Sequence, residues 1–240
     1  LAKQSQTESY GIPTGLAHIG LILKGTVHVH AETAKYLNKH EAQLELLGAD
    51  LSALYQAATC HRKCHGHEHI LEALAGRAYN LSIAAYNLTL LGLYDEALNL
   101  TRGIGEISNL VWLSVVDSTA IKEWIKSDDK TRRNKFGPAR VRAALEKCGV
   151  VHAYADADWY SDLCEKYVHV TPGTQPNKHD DTSGFVGGKY QEAGFKKALE
   201  GLTGITSVLA LLICRYFKFD DLFDQIKRAA GSNEDDTQKV

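Results

Sequence analysis

Methionine is absent from all 240 residues, position 1 included. Such an absence is rare by chance at this length; loss of methionines from the chain as written would account for it, each shifting helical phase by about 100°. Cysteine is sparse: Cys60, Cys64, Cys148, Cys164 and Cys214. Five is odd and the spacing is no disulfide framework, so a reduced interior is expected. A long apolar run is also missing. The longest, Leu202 to Cys214, is short of a bilayer and contains Thr203 and Ser207. The opening residues carry no secretory signal, because Gly15 to Gly25 is short, late and interrupted by Lys24. A cytoplasmic protein without a membrane partner is expected, and the sequons at Asn80, Asn87 and Asn99 read as chance.

Charge of either sign is not in excess: the formal net charge is −2. Neither a global nucleic-acid-binding bias nor an acidic tail follows from that balance. Several catalytic signatures are missing too. Gly187-Gly188-Lys189-Tyr190 lacks the frame and hydroxyl of a P-loop. There is no G-x-S-x-G elbow, no H-E-x-x-H and no dinucleotide fingerprint.

What is present is helical periodicity. Leu44, Leu47, Leu51, Leu54 and Tyr55 predict a helix over 41–58. Leu71, Leu74, Ala78, Leu81, Ala85, Leu88 and Leu91 mark another over 69–91. Gly92 reads as its C-cap signal and Asp95 as the N-cap of a third, over 96–116 or on to 125. A short turn between long helices makes an antiparallel pair. Further helices are expected from Pro138 to Cys148, over 156–168, 190–217 and 220–229. Lys126 to Lys135 reads as a loop or exposed short helix, and Thr171 to Gly188 as a long loop rich in glycine and proline. Alternation is confined to runs such as Thr26 to His30, so few strands are expected. The chain is expected to fold as an all-α, single-domain helical bundle of six to nine helices. The domain spans 15–230, between an irregular segment, 1–14, and a polar tail, 231–240.

Three constellations carry chemistry. The first is Cys60-His61-Arg62-Lys63-Cys64-His65-Gly66-His67-Glu68-His69. Thiolates and imidazoles are zinc ligands, and on a helix Cys60, Cys64 and His67 share one face. The alternative is an exposed polar connection, with no cofactor at all. The second is Asn99, Arg102, Glu106 and Asn109, one polar stripe on an apolar helix. Such charges need partners, and Arg77, Asn80 or Asn87 of the preceding helix are candidates. They form either a register-fixing network or a site. The third places His169 at the mouth of the loop, where it serves either as an acid–base group or as a helix C-cap.

The HEPN superfamily, small helical proteins many of which are RNases, carries an Arg-x4–6-His motif. Arg62 and His67 resemble it, although Lys63 stands where that family has Asn, Asp or His, and the motif falls early. The run from Tyr94 through Arg102 and Glu106 to Leu110, with Tyr160 to His169, resembles uncharacterised bacterial helical proteins, some of them HEPN-like. The resemblance covers roughly Glu68 to Pro172. It implies a helical bundle and, for the RNase reading, catalytic residues Arg102 and His169 from two helices with Glu106 orienting Arg102. That arrangement departs from the compact motif. The expectation is therefore a HEPN-like RNase of a bacterial defence or toxin type acting on RNA. The alternative is a non-enzymatic helical module for protein contacts, with homo-oligomerisation expected in either case.

Overall fold

The computed structural model describes residues 14–62, 69–151, 153–180 and 183–231. Among them are ten α-helices, a 3-10 turn at Leu37–His40 and no strand, an all-α fold. The outer segments 1–13 and 232–240 lie outside the described residues. The helices are α1 (Leu16–Ala34), α2 (Glu41–Ala58), α3 (Ile70–Leu90), α4 (Tyr94–Val116) and α5 (Ser118–Lys126), then α6 (Asp129–Phe136), α7 (Pro138–Lys147), α8 (Ala157–Tyr167), α9 (Glu192–Phe217) and α10 (Asp220–Ala229). The count exceeds the expected six to nine because Asp117 and Asp128 restart the chain. Each accepts a backbone N–H from the next first turn, Thr119 and Thr131 respectively, and so ends one helix and begins another. Thr26 to His30, despite its alternation, is part of α1.

The α3–α4 turn shows how local chemistry sets the bundle. Gly92 takes a left-handed φ of 68°. Its N–H reaches the Thr89 carbonyl at 3.1 Å, and the Leu93 N–H reaches Leu88 at 2.9 Å. This pair of bonds is a Schellman motif, which satisfies the last carbonyls of α3 and turns the chain back on itself. The Gly188–Lys189 backbone crosses so close that a Cβ on Gly92 would lie 2.3 Å from the Lys189 carbonyl oxygen.

The core is organised around α9, which packs against α2, α3, α4 and α10. Leu199, Leu202, Ile205, Leu209 and Ile213 are fully buried along it, each worth roughly 1.5–3 kcal/mol of burial. The stretch from Leu202 to Cys214 thus sits within a 26-residue helix that is long and apolar enough to cross a membrane, with 56% of its most apolar window buried in the bundle. A small second cluster of Leu113, Ala120, Val141 and Leu145 caps the far end of α4 with α5 and α7.

Candidate functional site

Arg102, Glu106 and Asn109 step along α4 toward the interior: Arg102 and Glu106 are half-buried and Asn109 is buried, while Asn99 is exposed. Their partners come from α8 and the chain just before it, not from the expected Arg77, Asn80 and Asn87 of α3. Gly105 is the reason. A Cβ there would lie 2.6 Å from Cζ3 of Trp159, so only glycine lets the indole lie on α4. Trp159 in place brings its neighbour Tyr160 over the polar stripe.

Glu106 Oε1 accepts from Arg102 Nη1 at 2.8 Å and from the Tyr160 hydroxyl at 2.9 Å. Arg102 Nη1 also donates to the Tyr160 oxygen and lies 3.9 Å from the Cys164 sulfur, one turn along α8. Two guanidinium groups stack on the Tyr160 ring: Arg142 of α7 at 4.6 Å from its centroid and Arg102 at 5.1 Å. Burial, and then the Glu106 carboxylate, push the Tyr160 phenol up to about 12. It therefore stays a neutral donor at physiological pH. Asn109 donates to the Ala155 carbonyl at 2.8 Å and fixes the entry to α8.

Glu106, Tyr160 and Arg142 line a cavity of about 240 Å³, closed by Trp124, Phe136 and Val141. Two buried guanidinium nitrogens, Arg102 Nε and Arg142 Nη1, have no acceptor among the described residues. Buried donors without acceptors are uncommon, and two on one tyrosine ring, Arg142 at the cavity itself, suit an anion. Beside it, α6 and α7 carry a basic groove lined by Lys135, Arg140 and Lys147. Residues 126–147 hold eight Lys and Arg against three Asp and Glu, a local excess inside a chain of net charge −2.

His169 lies two residues beyond α8 and is exposed. Its backbone N–H reaches the Cys164 carbonyl at 2.9 Å. Among the described residues its imidazole makes no hydrogen bond or ion pair. Tyr160, Cys164 and Arg142 complete the cluster and were not singled out from sequence as site residues.

The Cys/His segment departs from the expected helix. α2 ends at Ala58, and Cys60 takes a left-handed φ of 51°, so helical continuation fails there. Cys64 and His67 lie outside the described residues. Cys60 meets His69 and Glu72 of the α3 start, with Cys60 Sγ 3.6 Å from His69 Nδ1. Arg62 is committed elsewhere. It binds both oxygens of Asp221 at 2.5 Å and Gln56 at 2.7 Å, which ties α10 to the end of α2.

A second polar cluster sits at the α4 start, where Asp95 was expected to be the cap. The cap comes from the long loop: Asn177 Oδ1 accepts from the Tyr94 N–H at 3.0 Å and the Asp95 N–H at 3.4 Å. Asp95 answers by accepting the Asn177 N–H at 2.7 Å and facing His179 Nε2 at 3.0 Å. Gln191 accepts the backbone N–H groups of His179 and Asp180 and donates to the Asn177 carbonyl. No family model, curated protein or solved structure matches this chain.

Proposed function

We propose that the protein is a HEPN-like, metal-independent RNase of a bacterial defence or toxin type, working at Arg102, Glu106, Tyr160 and His169. The observation that carries this reading is the pair of acceptorless guanidinium donors from Arg102 and Arg142, both stacked on the Tyr160 ring, with Arg142 and Tyr160 lining the cavity. A phosphodiester supplies the acceptors those donors lack, and the basic groove of α6 and α7 supplies a track for the backbone. Arg102 stabilises the charge of the phosphorane, held in place by Glu106, which Tyr160 in turn holds. His169 takes the proton from the 2′-hydroxyl as its oxygen attacks phosphorus; the P–O5′ bond breaks and the leaving 5′-oxygen takes a proton from water. The products are a 2′,3′-cyclic phosphate and a 5′-hydroxyl end.

The test is cleavage of a labelled single-stranded RNA with excess EDTA present. Cleavage by the wild type, lost about 10²-fold or more in Arg102→Ala and in His169→Ala, is the expected result. No cleavage, or cleavage indifferent to both substitutions, rejects the reading.

One observation favours the second reading, a helical interaction module. Helix α1 exposes Leu16, Ile19, Leu21, Ile22, Leu23 and Val27, each at least 51% accessible, and Thr33 is its only buried residue. An apolar helix that leaves its own bundle uncovered suits association. Sedimentation of the wild type against an Ile19→Lys/Leu23→Lys pair separates a self-associating chain from a monomer.

A further inference from the structure

The α2–α3 connection brings three side chains of metal-ligating type to one point. Cys60 follows α2, His69 precedes α3 and Glu72 lies in its first turn. Their ligand atoms all lie within 4.8 Å of one another. Cys60 Sγ stands 3.6 Å from His69 Nδ1, and His69 Nδ1 stands 3.6 Å from Glu72 Oε1. A tetrahedral zinc with Zn–S of about 2.3 Å and Zn–N of about 2.0 Å holds its sulfur and nitrogen roughly 3.5 Å apart. The Cys60–His69 spacing fits that figure, and the His69–Glu72 spacing is only slightly wide.

Two further observations point to an ion. Glu72 is buried, 7% accessible. Its one ion pair among the described residues is to His69, at a distance beyond hydrogen-bonding reach. A carboxylate on a buried residue favours a cation beside it, and the cationic group near this one among the described residues is the His69 imidazole. Cys60 and His69 also both adopt left-handed backbone, with φ of 51° and 46°. Each such residue costs about 1–2 kcal/mol without glycine. The strain sits at the two residues whose side chains face each other.

We propose that Cys60, His69 and Glu72 form a zinc site that clips the ends of α2 and α3. Thiolate and carboxylate together balance the divalent charge, and the imidazole binds through Nδ1. The site is separate from the Arg102 cluster and does not depend on it.

The full chain, purified untagged and without chelator, is assayed for zinc by mass spectrometry, titrated with zinc against a chromophoric chelator, and loaded with cobalt(II). One zinc per chain and a thiolate-to-cobalt charge-transfer band are expected. Cys60→Ser abolishes the band, and Glu72→Gln, which keeps shape and fold, weakens zinc at least about 100-fold. Cys148→Ser, at an exposed position, leaves both unchanged. No zinc at micromolar concentration, zinc bound by Glu72→Gln as by wild type, or a band that survives Cys60→Ser but not Cys64→Ser would overturn the assignment.

Discussion

Helix α4 carries two polar clusters about two turns apart, and they are built on opposite plans. At its start, Asp95, Asn177, His179 and Gln191 answer one another's hydrogen bonds. Tyr94 is fully buried beneath them, and burial pushes its phenol up to about 12. Further along, Arg102, Glu106 and Tyr160 also bond together, yet Arg102 and Arg142 keep buried donors without acceptors among the described residues. Both contain histidine, carboxylate or tyrosine, so residue types alone do not separate them. What separates them is whether every buried group is satisfied from within the chain. The first cluster holds a loop to a helix end; the second keeps two buried donors that no described residue answers.

The sharpest way to break this contrast is one substitution in each cluster. Arg102→Ala is expected to cut RNA cleavage about 10²-fold or more while moving stability by under about 1 kcal/mol, since its ion pair is partly exposed. Asn177→Ala is expected to do the reverse. It removes the acceptor for two N–H groups, costs about 1–2 kcal/mol and lowers Tm by roughly 3–6 °C with cleavage retained. Thermal melts and the cleavage assay on the same preparations check both, and an Asn177→Ala protein that is stable but inactive would reverse the two roles.

Gly105→Val should blur the distinction. A branched side chain meets the Trp159 ring, pushes α8 away and costs about 2–3 kcal/mol, and the proposed cleavage centre goes with it. Denaturant unfolding and cleavage should fall together.

A third buried polar group offers a pH-dependent comparison. Asp50 on α2 is fully buried and accepts a hydrogen bond from Ser207 of α9 at 2.5 Å. Burial raises its carboxyl from 3.8 to about 8, against the smaller opposing pull of Ser207. The folded state therefore holds a proton that the unfolded chain has released. Its contribution is intact below about pH 4 and is lost as pH rises toward 8. Asp50→Asn should remove that slope and stabilise the protein by about 1–2 kcal/mol at pH 8, with little change at pH 4. Melts across that range test it. The smallest effect is expected for Tyr160→Phe, about 1 kcal/mol or less in stability, with roughly tenfold slower cleavage if the hydroxyl does no more than steady Glu106.

The helical frame was largely legible in the sequence. The leucine stripes over 41–58 and 69–91 match α2 and α3 nearly residue for residue, and Gly92 marks the turn it makes. Those signals are local, carried by periodicity and by one left-handed residue. The site was legible only in part. Arg102 and Glu106 share a helix, so their spacing revealed the pair. Tyr160 and Arg142 reach them from α8 and α7, and no spacing along the chain encodes that. Asn177 as the cap of Tyr94, more than eighty residues away, was hidden for the same reason. Cys60 with His69 was missed because the left-handed turn at Cys60 breaks the helix on which the ligand face had been drawn.

The placement of α9 also bears on how the chain is made. The helix that fills the centre of the bundle follows α1 to α8 in the chain and leaves the ribosome after them. Until it emerges, α2, α3 and α4 present their apolar faces to water with nothing between them. Synthesis is vectorial, so this unfilled interval is built into every molecule. A chain stopped before Gln191 would keep those faces open permanently. It would be a substrate for chaperones and proteases rather than a smaller working protein.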